Sequence, residues 1–455
     1  MLPVALLAVT MLNPVDAHTL VASPAGVVSP PNSSILGQDI QPGVLMAQSI
    51  VPSGANTIVT PAGSQIDITG GQISEDGENL FHSFQEFGLG EQQTANFMAT
   101  PQVENILGRV QGGAASYIDG TLKVSNSDAN LFLLNPAGIL FGPNARLDLN
   151  GDFTATTADR MGFADGWWNI LGSNDDGPLT GNPTQFSFGA ASPGSVVNLG
   201  DLAVGANQEL TLLGGNVVNG GRMSAPGGRV TLAAVNGAQI VTFGAADGLL
   251  TMELTPLAAG QAVSALSLPE LLTGGNLDSA GALTVADDGT VALQGLVIPE
   301  GTGTAAVTGG LDVSGSVGGE INVVSDRAAL LSANIDASGI TGGGTVRIGG
   351  GYQGNDAIPN ADLNYISADS TIDVSATDAG DGGVAVVWAD GLTQFYGHVD
   401  ASGGSQTGDG GFVEISGKNS LIFEGDVDLS AAVGTVGALL LDPRNFKIIV
   451  LLKRA

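Results

Sequence analysis

The feature of this sequence that most constrains its fold is an internal repeat in the last third of the chain. A four-residue unit, apolar–Asp–apolar–Ser, returns with its Asp residues 24, 37, 27 and 28 positions apart. Its copies are Leu311–Ser314, Ile335–Ser338, Ile372–Ser375, Val399–Ser402 and Val427–Ser430. Glycine pairs followed by short alternating strands separate the later copies. This order of strand, glycine corner and strand predicts a solenoid of stacked β coils, and the crossover rules favour right-handed winding.

The composition is typical of an all-β protein with a buried core. Glycine accounts for 70 of the 455 residues, about twice its ordinary usage of ~7%. Apolar residues reach 43%, whereas charged residues make up only 13%. Disordered acidic chains lack such apolar content because they cannot bury a core. We therefore predict an all-β, right-handed parallel β-helix with an N-terminal cap and extra-helical insertions.

The charge balance excludes some classes of partner. Lys and Arg together number 13 against 44 Asp and Glu, which gives a net charge of −31, and the first basic residue is Arg109. Nucleic acids and anionic lipid surfaces are bound through clustered cations, so we expect no nucleic-acid partner. The chain has no cysteine, which excludes disulfides, cysteine nucleophiles and cysteine-based metal sites.

The most specific pattern lies within residues 126–159. An apolar run at Leu131–Leu134 stops at Asn135–Pro136 and resumes at Ile139–Phe141. Proline has no backbone donor and keeps the preceding residue out of helical space, and Gly138 permits a positive φ. The pattern predicts two short buried strands joined by a tight turn.

This stretch resembles the N-terminal secretion domain of filamentous-haemagglutinin exoproteins, in the form common in cyanobacteria. Asn135, Pro136, Gly138 and Ile139 match that family's Asn-Pro-Asn-Gly-Ile box, with Ala137 in place of its second Asn. The family's second box, Asn-Pro-Asn-Leu, has no match. Residues 103–110 and 118–120 extend the likeness.

The resemblance implies a function in two-partner secretion. Polypeptide-transport domains of an outer-membrane β-barrel would bind the N-terminal domain in the periplasm, and the chain would fold outside as a right-handed β-helix. The turn at Asn135–Ile139 would matter for secretion, either through folding or through contact with the transporter. We expect Asn130, Asn135 and Asn144 to hold turns or to form stacked asparagine contacts inside a coil, and Asn105, Asn130 and Asn144 to form a supporting motif.

The patterns divide the chain into four segments. These are a signal or leader region at 1–47, a secretion (haemagglutinin activity) domain at 48–300, β-helix repeats at 301–443, and an atypical tail at 444–455. Met1–Leu12 is an apolar run of signal-peptide length, with small residues suited to cleavage after Ala17 and a second such position after Ala47. The apolar tail resembles the end of a truncated product or of a fragment of a longer exoprotein.

Three stretches within the secretion domain depart from the simple coil pattern. In residues 78–87 the apolar side chains have the spacing expected for one face of a helix or of a capping segment. Residues 161–188 form a longer excursion, in which Trp167 and Trp168 fit a sugar-stacking platform or, more commonly, an anchor that holds an insertion to the core. Residues 245–306 are irregular and are expected to form a second insertion or a joint.

The sequence shows no catalytic constellation, and we expect neither an enzyme nor a cofactor. The histidines, His18, His82 and His398, lie far apart. The repeated Asp residues and the Gly-Asp-Gly-Gly segments around Asp381 and Asp409 are better explained by capped turns than by calcium, since the tandem nonapeptide period is missing.

We predict a secreted or cell-surface adhesin of the haemagglutinin type that binds a host or cell-surface glycan or protein. Two alternatives stay open. One is a polysaccharide-active β-helix enzyme, which requires acidic residues with Arg or Lys in one groove. The other is a purely structural matrix protein.

Overall fold

The structure is a computed structural model. It describes residues 8–9, 46–54, 56–246, 248–258, 265–273, 283–355, 357–443 and 448–449. Apart from residues 8–9, 46–47 and 448–449, the predicted leader and tail lie outside the described residues.

The described chain winds through three parallel faces. The first face contains Asn79–Glu86, Asn105–Val110, Asn130–Leu134, Phe153–Thr156, Glu209–Gly214, Arg229–Ala234, Glu320–Val324, Thr345–Ile348, the first half of Val384–Phe395, Phe412–Gly417 and Ala438–Leu440. The second contains Met46–Ala47, Ala115–Ile118, Ile139–Phe141, Val196–Asn198, Asn216–Asn219, Thr304–Val307, Arg327–Leu330, Ala361–Ile366, the second half of Val384–Phe395 and Ser420–Phe423. The third contains Gln65–Gly70, Thr94–Met98, Thr121–Ser125, Arg146–Asp148, Asp201–Ala203, Arg222–Ser224, Gly310–Asp312, Asn334–Asp336, Thr371–Asp373, His398–Asp400 and Asp426–Asp428.

Each strand pairs in parallel with its counterpart in the next coil, so the predicted all-β parallel β-helix is confirmed. Alternate side chains of all three faces point inward. They form one continuous apolar core that runs from Ile66 near the N-terminal end to Phe423 in the last coils.

Glycine is required at the corner between the third and first faces. A Cβ on Gly383 would lie 2.0 Å from the carbonyl oxygen of Gly344, and a Cβ on Gly411 would lie 2.2 Å from that of Gly383. These distances are far inside van der Waals contact, so only glycine allows the backbones of successive coils to approach this closely. The same column contains Gly228, Gly319, Gly344, Gly383, Gly411 and Gly437.

The repeated Asp residues cap turns, as predicted. In all five copies the Asp Oδ1 accepts a hydrogen bond from the backbone N–H of the Ser two positions later, at 2.8–3.0 Å. The five Asp residues are also in register from coil to coil on the third face. Their spacing along the sequence therefore reports the length of each coil.

Antiparallel strands close the N-terminal end. Thr57–Ala62 pairs antiparallel with Gln65–Gly70, the first strand of the third face. Val51–Pro52 and Gln72–Ile73 pair antiparallel with Asn79–Glu86. The parallel ladder therefore stops at these strands, and the predicted N-terminal cap is present.

The helical interpretation of residues 78–87 is wrong, because the segment forms the strand Asn79–Glu86. Leu80 and Phe84 pack into the core of the β-helix, whereas Phe81 packs outward against the first insertion. A strand buried on both sides loses the simple alternation of apolar and polar residues. Its apolar spacing therefore imitates that of a helix.

Two insertions lie outside the coils. The first is a five-stranded antiparallel sheet of Arg160–Phe163, Gly166–Asn169, Gln185–Phe188, Gln239–Ala246 and Leu249–Pro256. The second contains the helix Leu268–Thr273 and a three-stranded antiparallel sheet of Leu283–Val285, Val291–Leu293 and Leu296–Ile298. The remaining short elements are the 3₁₀ turn Tyr352–Gly354 and the pair Ala8–Val9 with Ile448–Ile449.

Trp168 anchors the first insertion to the coils. It is fully buried, its ring centroid lies 5.2 Å from that of Phe81, and the guanidinium carbon of Arg109 lies 5.5 Å from its ring. Trp167 is half-buried beside Arg160. The anchor interpretation of this tryptophan pair is confirmed for Trp168.

His82 lies inside the first coil, beside the rings of Phe84 and Phe97. Its Nδ1 lies 3.4 Å from the hydroxyl of Thr57, and its Nε2 has no hydrogen-bond partner among the described residues. Burial in this apolar setting lowers the pKa of His82 to about 4.

This burial predicts a loss of stability in acid. Unfolded His82 takes up a proton below about pH 6.5, whereas folded His82 stays neutral down to about pH 4. The unfolded state therefore binds more protons between these values. The free energy of unfolding should fall by up to about 1.4 kcal/mol per pH unit as the pH drops through this window.

Urea unfolding of the full chain at several pH values checks this prediction. Buried carboxylates with a raised pKa, such as that of Asp152, act in the opposite direction, so the slopes of variants are compared. His82→Phe should lose the acid-dependent component, and exposed His398→Gln should keep it. Equal slopes in both variants would contradict the prediction.

Candidate functional site

The candidate site is the turn Asn135–Ile139, which joins the strand Asn130–Leu134 of the first face to the strand Ile139–Phe141 of the second. Asn135 is fully buried. Its Nδ2 donates to the carbonyl of Ala114 and to the hydroxyl of Ser116, both at 2.9 Å, and its Oδ1 accepts from the backbone N–H of Ala137 at 3.0 Å. One side chain thus shapes the turn and attaches it to the preceding coil.

The backbone of the turn is held from both sides. Gly138 N–H donates to the carbonyl of Asn135 at 3.0 Å, and the carbonyl of Gly138 accepts from Ser116 N–H at 3.0 Å. Towards the next coil, Asn135 N–H donates to Thr156 and Ile139 N–H to Ser195, at 3.0 and 3.1 Å. Gly138 has a φ of 126°, a conformation that glycine allows. The turn therefore links three successive layers of the solenoid.

A segment from the second insertion covers the outer side of this turn. Leu266 N–H donates to the carbonyl of Ala137 at 3.0 Å. Leu268, Leu271 and Leu272 of the helix Leu268–Thr273 form an apolar cluster with Ala137 and Leu140. With the coils on its inner side and this segment on its outer side, all five residues of the turn are buried.

The other predicted asparagines, Asn105, Asn130 and Asn144, do not form one site with the turn. Asn105 Nδ2 donates to Asn79 Oδ1 at 2.8 Å, and Asn130 Nδ2 donates to Asn105 Oδ1 at 3.0 Å. This asparagine ladder begins the first three strands of the first face, so Asn130 forms a stacked asparagine contact. Asn144 is exposed at the corner between the second and third faces, where it donates to the Asp119 carboxylate.

Sequence reasoning missed several partners of these residues. Asn79 extends the ladder and donates to the carbonyls of Leu179 and Gly181 in the first insertion, at 2.8 and 2.9 Å. Ser116 holds Asn135, but it is one serine in a buried strand and carries no sequence signal. The partners become visible only once the coils are stacked in register.

A charged groove on the first face brings together the acidic and basic residues that the enzyme alternative requires. Arg229 bridges the carboxylates of Glu209 and Glu320, and Arg347 lies 2.9 Å from Glu320. Both oxygens of Glu320 also accept from Leu250 N–H, at 3.0 and 3.3 Å. Burial raises the pKa of Glu209, which Arg229 opposes. These side chains form ion pairs with one another, and Glu320 also binds the backbone of the hairpin in the first insertion. The groove is therefore best explained as the place where this hairpin is attached to the coils.

The remaining polar candidates have structural partners. Asp381 Oδ1 accepts from Asp409 N–H at 2.8 Å, and Asp409 Oδ1 accepts from Thr435 N–H at 2.7 Å, so both Gly-Asp segments act as turn caps. His398 lies on the surface, 3.1 Å from Asp426, and His18 lies outside the described residues. Within the described part of the chain, no group of three His, Asp or Glu residues is arranged to hold a metal ion.

Replacing Asn135 should destabilise the fold strongly. In Asn135→Ala, the carbonyl of Ala114, the hydroxyl of Ser116 and the N–H of Ala137 lose their partner inside the protein. A buried polar group left unpaired costs about 1–3 kcal/mol, so we expect a loss of about 3 kcal/mol or more in the free energy of unfolding, measured by urea denaturation. Asn144→Ala is the control and should cost less than about 1 kcal/mol, since Asn144 is exposed. Equal effects of the two variants would refute the structural role of Asn135.

Comparison with known proteins identifies the domain that contains this turn. The HMW1 secretion domain from Haemophilus influenzae is 24% identical with a TM-score of 0.46, and a filamentous hemagglutinin secretion domain is 16% identical with a TM-score of 0.34. Each likeness covers 86% of this chain and 100% of the other. No curated protein matches. The family model of the TPS secretion domain matches residues 47–263. This part of the chain, which contains the Asn135–Ile139 turn, is therefore a secretion domain of the two-partner secretion type.

Proposed function

We propose that this protein is an exoprotein that a partner β-barrel transporter exports across the outer membrane. The observation that carries the proposal is the TPS secretion domain at residues 47–263. Polypeptide-transport domains of the transporter bind this domain in the periplasm, and residues 301–443 follow it outward as further coils. Among the described residues, no helix has the length and apolar character needed to cross a membrane.

The coil structure supports export of an extended chain followed by folding outside. Each strand pairs with the strand one coil earlier, so every new coil finds its template already formed. The absence of cysteine means that no disulfide can lock the chain before passage. In this proposal Asn135 acts by fixing an early coil to its neighbours, because its side chain is buried among coil residues.

An export assay tests the secretion proposal. The full chain is expressed with and without its candidate partner barrel, and the protein in the medium is quantified. Export should require the barrel and should fall at least tenfold in Asn135→Ala, while Asn144→Ala should be exported like the parent. Export that ignores both the barrel and Asn135 would refute the proposal.

We further propose that the exported protein acts as a surface adhesin of the haemagglutinin type, with a glycan or protein on another cell as its target. A long rod with a net charge of −31 stays soluble while it presents side chains far from its own cell. Beads coated with the secreted protein should bind cells or a glycan array, and beads coated with the urea-unfolded protein should not. Absence of binding by the folded protein would favour a purely structural matrix role.

A further inference from the structure

An open groove lies on the first face, next to the place where the hairpin of the first insertion is attached. Its floor is the outer side of three stacked strands, on which Thr345, Val384 and Phe412 are in register from coil to coil. Leu249 of the hairpin and Tyr352 of the 3₁₀ turn also line it, and its volume is about 410 Å³. We call this space the aromatic groove.

We propose that the aromatic groove binds a neutral glycan, in the form of a short stretch of uncharged sugars in an extended chain. This proposal rests on the proposed adhesin function, for which it names the site and the chemical class of the target. The lining of the groove matches a sugar, because a sugar ring has an apolar C–H face and a polar rim of hydroxyl groups.

Tyr352 supplies the ring on which the apolar face of a sugar stacks. The residue is 49% exposed, and no other Phe, Tyr or Trp in the described part of the chain is exposed to this degree. Its ring centroid lies 5.7 Å from that of Phe412, with an angle of 67° between the rings. One ring therefore forms part of the floor of the groove, while the other stands at an angle beside it.

A strained and tightly packed turn holds Tyr352 in this position. Gln353 has a φ of 53°, which is rare for a residue with a side chain, and its N–H donates to the Glu414 carboxylate at 3.0 Å. Glu414 is fully buried, and burial raises its pKa. A Cβ on Gly354 would lie 2.5 Å from the ring of Trp388. Backbone strain and a buried carboxylate both cost free energy, and strained residues cluster at ligand sites.

The hairpin side of the groove is polar and offers partners for sugar hydroxyl groups. Leu249 and Thr345 also line an adjoining hollow of about 360 Å³, which extends to Glu209 and Arg229. The Glu209 side chain is 47% exposed beside the Arg229 guanidinium, so its carboxylate can accept from a hydroxyl group that enters the hollow. Glycine pairs at residues 318–319 and 343–344 complete the lining and leave backbone groups within reach of a ligand.

The dimensions of the groove select a short chain of sugars over a protein. A stable protein interface buries about 800 Å² on each partner, whereas small-molecule sites are clefts of about 300–1,000 Å³. Successive strands lie about 4.8 Å apart, which is roughly the length of one sugar in an extended chain. The three coils from Thr345 to Phe412 therefore fit two or three sugars laid along the rod.

The charges around the groove favour an uncharged glycan and binding without cleavage. The net charge of −31 repels acidic sugars. Both oxygens of Glu320 already accept hydrogen bonds from Leu250 N–H, and Arg229 and Arg347 pair with the same carboxylate. This carboxylate is therefore held in the attachment of the hairpin and is not offered to a ligand.

A glycan-binding measurement tests the proposal. The secreted full chain is applied to an array of neutral oligosaccharides of glucose, galactose, mannose and N-acetylglucosamine, together with acidic oligosaccharides of glucuronate. The neutral oligosaccharide bound best is then titrated by calorimetry. Tyr352→Ala should weaken its binding at least tenfold, and Tyr352→Trp should retain it, because stacking needs a ring and not the hydroxyl. Tyr396→Ala removes a half-buried ring on the second face and is the matched control, which should bind like the parent.

Three results would overturn the proposal: no binding to any neutral oligosaccharide, binding to acidic oligosaccharides only, or binding that survives Tyr352→Ala. Because Tyr352 is exposed, its replacement should leave the urea midpoint close to that of the parent. If circular dichroism shows that Tyr352→Ala has lost its β structure, Val384→Arg replaces it. This variant places a long side chain on the floor of the groove and should also weaken binding at least tenfold.

The outcomes distinguish this proposal from the adhesin proposal on which it rests. If coated beads bind cells equally well with the parent and with Tyr352→Ala, and no neutral oligosaccharide binds, the groove proposal fails and the adhesin proposal stands. If the folded protein binds neither cells nor oligosaccharides, both proposals fail.

Discussion

The close approach of successive coils at the glycine corners is the constraint on which the rest of this structure depends. At the corner between the third and first faces, the Cα of one coil faces the carbonyl of the coil before it, and a Cβ on Gly344 would lie 2.2 Å from Gly319 oxygen. In the coils from Gly228 to Gly437, a side chain at this position would push the coils apart and break the parallel ladders on both adjoining faces. Glycine therefore returns at this corner once in every later coil.

Three of the 13 basic residues, Arg109, Arg229 and Arg347, hold the first insertion to the coils. Arg109 donates from Nε to the Ser83 hydroxyl at 2.8 Å and from Nη1 to the Ile170 carbonyl at 3.3 Å, and so connects a coil to the first insertion. Arg229 and Arg347 perform the same task for the hairpin of that insertion.

The sequence predicted those parts of the fold that repeat. In the later coils a glycine corner and a capped aspartate each recur once per coil, and each occurrence supports the others. The strand Asn79–Glu86 was misread because the first insertion buries its outer side, and this burial depends on Trp168 almost ninety positions later. The contact between Phe81 and Trp168 joins residues far apart in the sequence. A periodic pattern in residues 78–87 cannot show such a contact.

In the candidate site, too, the local pattern was predicted from the sequence and the long-range contacts were not. The pattern of Asn135, Pro136 and Gly138 predicted a tight buried turn, and the turn is present. Two neighbours of the turn were not predicted, namely Ser116 and the helix Leu268–Thr273 that packs on Ala137. A single serine and a six-residue helix leave no periodic signal in the sequence. Ala137 is instructive, because the apolar cluster with Leu271 explains why a small apolar residue suits this position.

The antiparallel strands at the N-terminal end give the rod a mechanical polarity. Thr57–Ala62 runs against its neighbour, so no further parallel coil can add on that side, and the first coil cannot be peeled from there without breaking a hairpin. A pull applied from the C-terminal side meets a different resistance, since the coils there are held by parallel ladders and the apolar core, with only the short pairs of Ala8–Val9 running antiparallel. Under tension the chain would unfold one coil at a time from that side, and the secretion domain would stay folded longest. Such stepwise extension would let a tethered molecule absorb load without releasing its base.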